Sequence, residues 1–321
     1  MRLHSFPTRR SSDLLSGWAS VAGLGFDPAV APAAQEVTVT TAEDLATYAA
    51  SPDPYIIHLS GTIVVPALAV TSNKTIIGVD QHATLEGGIR ISGTATDMVS
   101  NVAIRNLRIN ALGSTTSTLG GENDGIGIAY AHHVWIDHVE IWDAQGDGVD
   151  VTHGSDNVTV SWSKFRFVDG TRRTGVRVGH DDANTAEDRG HLTVTLHHNW
   201  FQNSVDQRMP RVRFGAVHVY NNLFSGAGVN SYTVAAAIES RLLVENNYFD
   251  NVRYPHVFFS FINGSAAFEE PTAQMVANGN LYIGAADDAD GKQSGQGAAF
   301  TPPYSTTLDL ADTQLKGFAR H

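Results

Sequence analysis

Two acidic pairs and one arginine-rich run hold the side chains in this chain best suited to chemistry. Glu122 and Asp124 lie in G-E-N-D-G-I, and Asp147 and Asp150 in G-D-G-V-D-V. Hard cations such as Ca2+ take several oxygen ligands, mostly carboxylates. On a strand, Glu122 and Asp124 are two apart and face the same side. Asp147 and Asp150 follow about one repeat later, so stacked repeats would bring the pairs together. Acids flanked by glycine also fit solvated turns, and the pattern alone leaves both readings open.

The arginine run is R-M-P-R-V-R-F-G, with Arg208, Arg211 and Arg213. Strand alternation puts Arg211 and Arg213 on one face, and guanidinium forks suit bidentate recognition of carboxylates. A solvent-facing strand guarded by positive charges would have the same composition. Arg172 and Arg173 precede the run by about one and a half repeats. A third group, V-W-I-D-H from Val134 to His138, could move protons but reads better as a structural network.

These groups need a scaffold, and a repeat supplies it. An apolar residue, a second two positions on and a bulky one seven after the first recur in NVAIRNLRI, HVWIDHVEI, NVTVSWSKF, TVTLHHNWF, AVHVYNNLF, RLLVENNYF and QMVANGNLY. The first apolar positions are Val102, Val134, Val158, Val194, Val217, Leu242 and Met275, with steps of 32, 24, 36, 23, 25 and 33 residues. A short alternating strand cannot bury its apolar face alone, whereas stacked coils share one core. The spacing predicts an all-β solenoid, with the longer steps as loop insertions. Asn199, Asn222, Asn247 and Asn280 stand just before the bulky residue, where stacked amides can bond up the solenoid. Thr41–Ala50 is the best helix candidate, with Thr41 as N-cap and Asp44 at the third position. It would cap the open N-terminal end.

Composition narrows the classes. The 321 residues are 42% apolar and carry a formal charge of −12. That excludes the basic footprint of a nucleic-acid binder. No apolar run of 18 residues predicts a membrane span. With no cysteine, disulfides, thiolate catalysis and cysteine zinc sites are excluded, and the compartment is left open. Met1–Leu14 lacks the apolar core of a signal peptide. Residues 1–16 therefore read as an atypical segment outside the fold, and residues 17–321 as a single domain whose tail after Asp287 wraps the outside.

Taken together in order, WIDH, DVTHGSDNVTVSW, HLTVTLHHNWF and RMPRVRFGAVHVYNNLF resemble the pectate lyases of the first polysaccharide lyase family. The resemblance spans roughly residues 37 to 304. It implies a right-handed, single-stranded parallel β-helix and a secreted monomer. Such an enzyme would cleave polygalacturonate by Ca2+-assisted β-elimination to 4,5-unsaturated products. It assigns the catalytic base to Arg208 and carboxylate binding to Arg213, with Arg211 and Arg173 also facing substrate. It assigns Ca2+ to Asp124, Asp147 and Asp150, with Glu122 as an additional ligand. An arginine base is physically awkward, since its pKa normally exceeds about 12.

Two departures stand out. Relatives commonly space the second acidic pair four apart. Here it is three, which leaves Gly146 at the expected position and predicts a displaced ligand or a water. Arg173 stands near the usual substrate-binding lysine, keeping its charge but not its geometry. Three rivals remain: a pectin lyase acting on methylated polymer without Ca2+, a glycoside hydrolase using Asp181 and Asp182, and a β-helix that binds polysaccharide without catalysis.

Overall fold

The computed structural model describes residues 15–22, 34–116, 123–168, 172–262, 265–285, 295 and 300–309. Short strands stack in parallel from one end to the other. One ladder holds ten strands, from Gln35–Val39 to Gln274–Asn278. A second sheet is two further ladders joined through the long strand Thr84–Ser92. Its first half pairs with Arg108–Asn110 and its second half with Ile126–Ala129. Successive coils therefore visit three faces in turn, giving a parallel β-helix. Parallel crossovers of this kind are overwhelmingly right-handed.

The register matches the sequence repeat. Val102, Val134, Val158, Val194, Val217, Leu242 and Met275 pair successively in one column, and all are buried. At the next corner Asn199, Asn222, Asn247 and Asn280 form a ladder. Each amide Nδ2 donates at 3.0 Å to the Oδ1 of the next. That same Oδ1 also accepts the backbone N–H of the preceding asparagine in the ladder at 2.9–3.0 Å. The sharp corner puts His198, Asn221 and Asn246 at φ of 53–55°, a left-handed conformation that asparagine tolerates better than most residues. Behind the corner the rings of Phe165, Phe201, Phe224, Phe249 and Tyr282 stack with centroids 4.6–5.3 Å apart.

At the N-terminal end, helix Ala42–Ala50 is capped by Thr41, whose side chain accepts from the Asp44 N–H. Leu45 and Ala49 close the core beneath it. Both described ends of the chain lie on the outer face of the ten-stranded ladder. Trp18 N–H and the Tyr304 hydroxyl both reach Thr195 Oγ1, and Ser16 Oγ bonds His197 Nε2. Residues 300–309 thus follow the outer wrap expected of the tail. Among the described residues no helix is long and apolar enough to cross a membrane.

Asn222→Ala would orphan the Asn199 N–H and remove the amide contact to the Leu196 carbonyl. The expected loss of about 1–3 kcal/mol per orphaned group is measurable by chemical denaturation. An unchanged midpoint would deny the ladder a role in stability. His197 is enclosed, and burial foremost, then His198, His218 and His138, hold its pKa well below 6.5. The unfolded chain therefore takes up a proton that the folded chain refuses, so stability falls as pH drops below about 6.5. Melting temperatures at pH 7.5 and 5.5 should differ, and less so in His197→Gln.

Candidate active site

The candidate site lies on the outer face of the ladder that contains strand Asp147–Thr152. Val149 and Val151 of this strand point into the core, which turns Asp150 outward. Asp150 pairs in register with Gly127 on one side and Arg177 on the other, and Arg177 pairs with Arg211. Asp147 pairs with Thr174. Gly125, Gly148 and Gly175 stack beside these residues. A Cβ on Gly148 would sit 2.9 Å from the Gly175 carbonyl oxygen, and one on Gly175 would sit 2.7 Å from that of Arg208. Close backbone approach here requires glycine, and it draws Asp124, Asp147, Thr174 and Arg208 into one neighbourhood.

All three aspartates are buried. Asp124 Oδ1 accepts the Asp147 N–H at 2.7 Å, and Ser114 and Thr116 hydroxyls hold the Asp124 carbonyl at 2.6 Å. Asp124 Oδ2 is buried without a hydrogen-bond partner. Burial foremost, then the charges of Asp150 and Asp147, push the Asp124 carboxyl up to about 9. Arg177 grips both oxygens of Asp150, Nε at 2.8 Å and Nη2 at 2.9 Å. Its Nε is also 3.2 Å from Asp147 Oδ2. Burial opposes the charge on Arg177, but Asp150 and Asp147 outweigh it and raise its pKa.

The arginine run converges on the same place. Arg208 Nη1 donates to both oxygens of Asp147, at 3.0 and 2.8 Å. Burial again works against the charge, but Asp147 prevails and its pKa is raised. Arg211 has no facing carboxylate in its column. Its Nε is buried without an acceptor, and its guanidinium carbon stands 5.6 Å from the centre of the Phe259 ring. Burial, then the nearby charge of Arg208, lowers its pKa to about 10. Arg213 donates to the Gly179 carbonyl at 3.2 Å and pairs with Asp182, so it ties down the loop that follows strand Thr174–Val178.

The structure thus unites Asp124, Asp147, Asp150, Arg208 and Arg211, with Arg213 alongside. Glu122 lies outside the described residues. Arg173 is exposed, and no described contact joins its side chain to the aspartates. Gly146, standing where the resemblance expects a carboxylate, offers only its carbonyl, which accepts from Thr174 Oγ1 at 2.8 Å. Asp181 and Asp182 sit on an exposed loop. Asp137 of W-I-D-H accepts from Ser161 at 2.7 Å and from Arg105 at 3.0 Å, a structural network on a different ladder. The residue that sequence reasoning missed is Arg177. The signal was there in G-V-D-V and G-V-R-V, where equal flanks place Asp150 and Arg177 at the same point of consecutive coils.

Whether these residues fit Ca2+ is decided by their free oxygens, since the ion takes 6–8 of them. Five of the six carboxylate oxygens of Asp124, Asp147 and Asp150 already accept from an N–H. The sixth, Asp124 Oδ2, is alone. No group of three or more acidic or histidine side chains among the described residues could hold a metal ion. The described set does not fit a resident divalent cation.

Comparison with known proteins gives one answer. A family model described as pectate lyase matches residues 9–306. Pectate lyase A of Aspergillus niger is 33% identical over 267 residues, 80% of this chain and 72% of the relative. A pectate trisaccharide-lyase of Thermotoga maritima is 35% identical over 226 residues, 68% of this chain and 56% of its own length. Among solved structures, a pectate lyase from Bacillus sp. N165 in complex with trigalacturonate superposes with a TM-score of 0.72 at 24% identity, covering 96% of this chain and 98% of that one. A thermostable pectate lyase superposes equally well at 23% identity, covering 95% of each chain. With its repeat, its fold and its arginine run, this chain belongs to the pectate lyase family and is a polysaccharide lyase.

Proposed function

We propose that this protein acts as a secreted monomer on polygalacturonate, the de-esterified form of pectin, and breaks α-1,4 linkages by β-elimination. The observation that carries this reading is the placing of Arg208 on Asp147 with Arg211 close by, one coil on from Arg177. One guanidinium is paired with Asp147, and beside it a buried one keeps an Nε without an acceptor. A buried guanidinium with no facing carboxylate in its column suits a substrate with a carboxylate on every sugar. The complex of a structural neighbour with trigalacturonate supports the same substrate class.

In the elimination a base removes the C5 proton, the electron pair forms the C4–C5 double bond, and the C4–O bond breaks. The departing oxygen takes up a proton. Arg208 is the base by its place in the R-x-P-x-V-R run. Asp147 keeps it charged in the free protein, so it must leave Asp147 before it can accept a proton. Away from that carboxylate, the charges of Arg177 and Arg211 disfavour its protonated form. Arg211 would orient the uronate carboxylate, and Arg213 would act by holding the loop at Gly179–Asp182. The resemblance brings Ca2+ with it, but the described aspartates do not fit the ion. Since only one of their six carboxylate oxygens, Asp124 Oδ2, is without a donor, no step here is routed through the ion. That same shortage favours a second reading, elimination on methylated pectin.

Two measurements test the proposal. Ultraviolet absorbance of digests should rise with polygalacturonate as unsaturated ends form, and less with methylated pectin. New reducing ends without absorbance would mean hydrolysis, and neither signal would leave a binding protein. Arg208→Ala and Arg208→Lys should each lower kcat/KM by about 10²–10⁴-fold with unchanged circular dichroism. Near-normal turnover in either would remove Arg208 from the role of base.

A further inference from the structure

We propose that Arg177 stands in for the divalent cation, so that turnover by this enzyme needs no Ca2+. The inference rests on the lyase reading above and concerns how its acidic cluster is neutralised. Three carboxylates buried within one neighbourhood need compensating positive charge. A bound cation could supply it, and so could a guanidinium. Here the guanidinium is supplied by the fold, because Arg177 pairs in register with Asp150 one coil away.

The contacts make the two alternatives mutually exclusive. Arg177 engages both oxygens of Asp150 and reaches Asp147, while Arg208 takes both oxygens of Asp147. A cation entering the cluster would have to displace two arginines and then lie beside their charges. Arg177 has little room to withdraw. It is 6% exposed, and its neighbours Val176 and Val178 are fixed in the core. The three-residue spacing of Asp147 and Asp150 fits this arrangement. It turns Asp150 outward opposite Arg177 and leaves Gly146, with no side chain, in the remaining position.

A buried Arg–Asp pair could be scaffolding alone. Its location argues for more, since the column that contains it continues directly into Arg211, and Asp147 is shared between Arg177 and the proposed base. Arg177 is therefore a positioning residue. It fixes the carboxylates against which Arg208 is held, and it contributes the positive field that a metal ion would otherwise bring.

The test uses the full chain, stripped of metal. Wild-type protein should form unsaturated product in excess EGTA at a rate within about twofold of that with added CaCl2, a difference too small to be the loss of a transition-state contact. Titration calorimetry with CaCl2 should show no saturable binding. Arg177→Ala should gain saturable Ca2+ binding and a melting temperature that rises with CaCl2, as linkage requires of a ligand that binds only the folded state. If that variant does not fold, Arg177→Lys keeps a charge at the position, and its weaker grip on Asp150 should admit Ca2+ detectably. Wild-type turnover abolished by EGTA and restored by CaCl2 would overturn the inference while leaving the lyase reading intact. If no unsaturated product forms under either condition, the lyase reading fails. Calorimetry then decides on its own, since saturable binding to the wild type refutes the substitution and binding only to Arg177→Ala upholds it.

Discussion

Parallel strands hydrogen-bonded in register place nearly every other feature of this molecule. A residue in one coil sits directly over its counterpart in the next, so chain separations of 23 to 36 residues collapse to one inter-strand step of about 4.8 Å. Like side chains then reinforce each other in columns. Valines make the core, asparagines the corner ladder and phenylalanines the ring stack. Each column works because its members are identical or nearly so, and because the amide or ring has a partner both above and below.

Charged columns obey the same geometry under a harsher rule. Side chains of one sign cannot follow one another in a buried column without large cost, since an uncompensated buried charge costs several kcal/mol. The outer column therefore runs from Gly127 to Asp150 to Arg177, alternating neutral, negative and positive. Arg211 breaks the alternation. It follows Arg177 with a neutral Ala235 beyond it, and burial, then the charge of Arg208, brings its pKa down to about 10. A chain of net charge −12 can thus present a locally basic site to an acidic polymer. Local arrangement, not total charge, sets the field in the groove.

Much of this was legible in the residues. The seven-fold apolar repeat anticipated the register of the ten-stranded ladder position by position, and the recurring asparagines anticipated their ladder. Thr41 marked the helix start because an N-cap is a local interaction between neighbours in sequence. Asp124, Asp147, Asp150, Arg208 and Arg211 came together as expected because all lie close to the strands of one ladder. Arg177 escaped notice for a physical reason. Steps along its own column are uneven, 23 residues from Gly127 to Asp150, 27 from Asp150 to Arg177 and 34 from Arg177 to Arg211. Counting along the chain loses the register across steps of unequal length. Only the matching flanks of Asp150 and Arg177 preserve it. The choice between metal and guanidinium was also hidden, since composition shows which carboxylates are present and not which oxygens are already engaged.

The placement of residues 15–22 and 300–309 bears on how the molecule comes apart. A solenoid whose coils touch only their neighbours can fray from its ends, losing one coil at a time. Here Ser16–Ala19 rest on Thr159, Thr195 and His197, and Tyr304 on Thr195 and His218, in central coils and not terminal ones. The two segments meet on common ground, Trp18 lying 5.8 Å from Tyr304 between ring centroids. Detaching either segment uncovers the middle of the ladder before the outermost coils are disturbed. The chain is in effect buckled across its waist, which couples the two halves and favours cooperative unfolding over gradual unwinding.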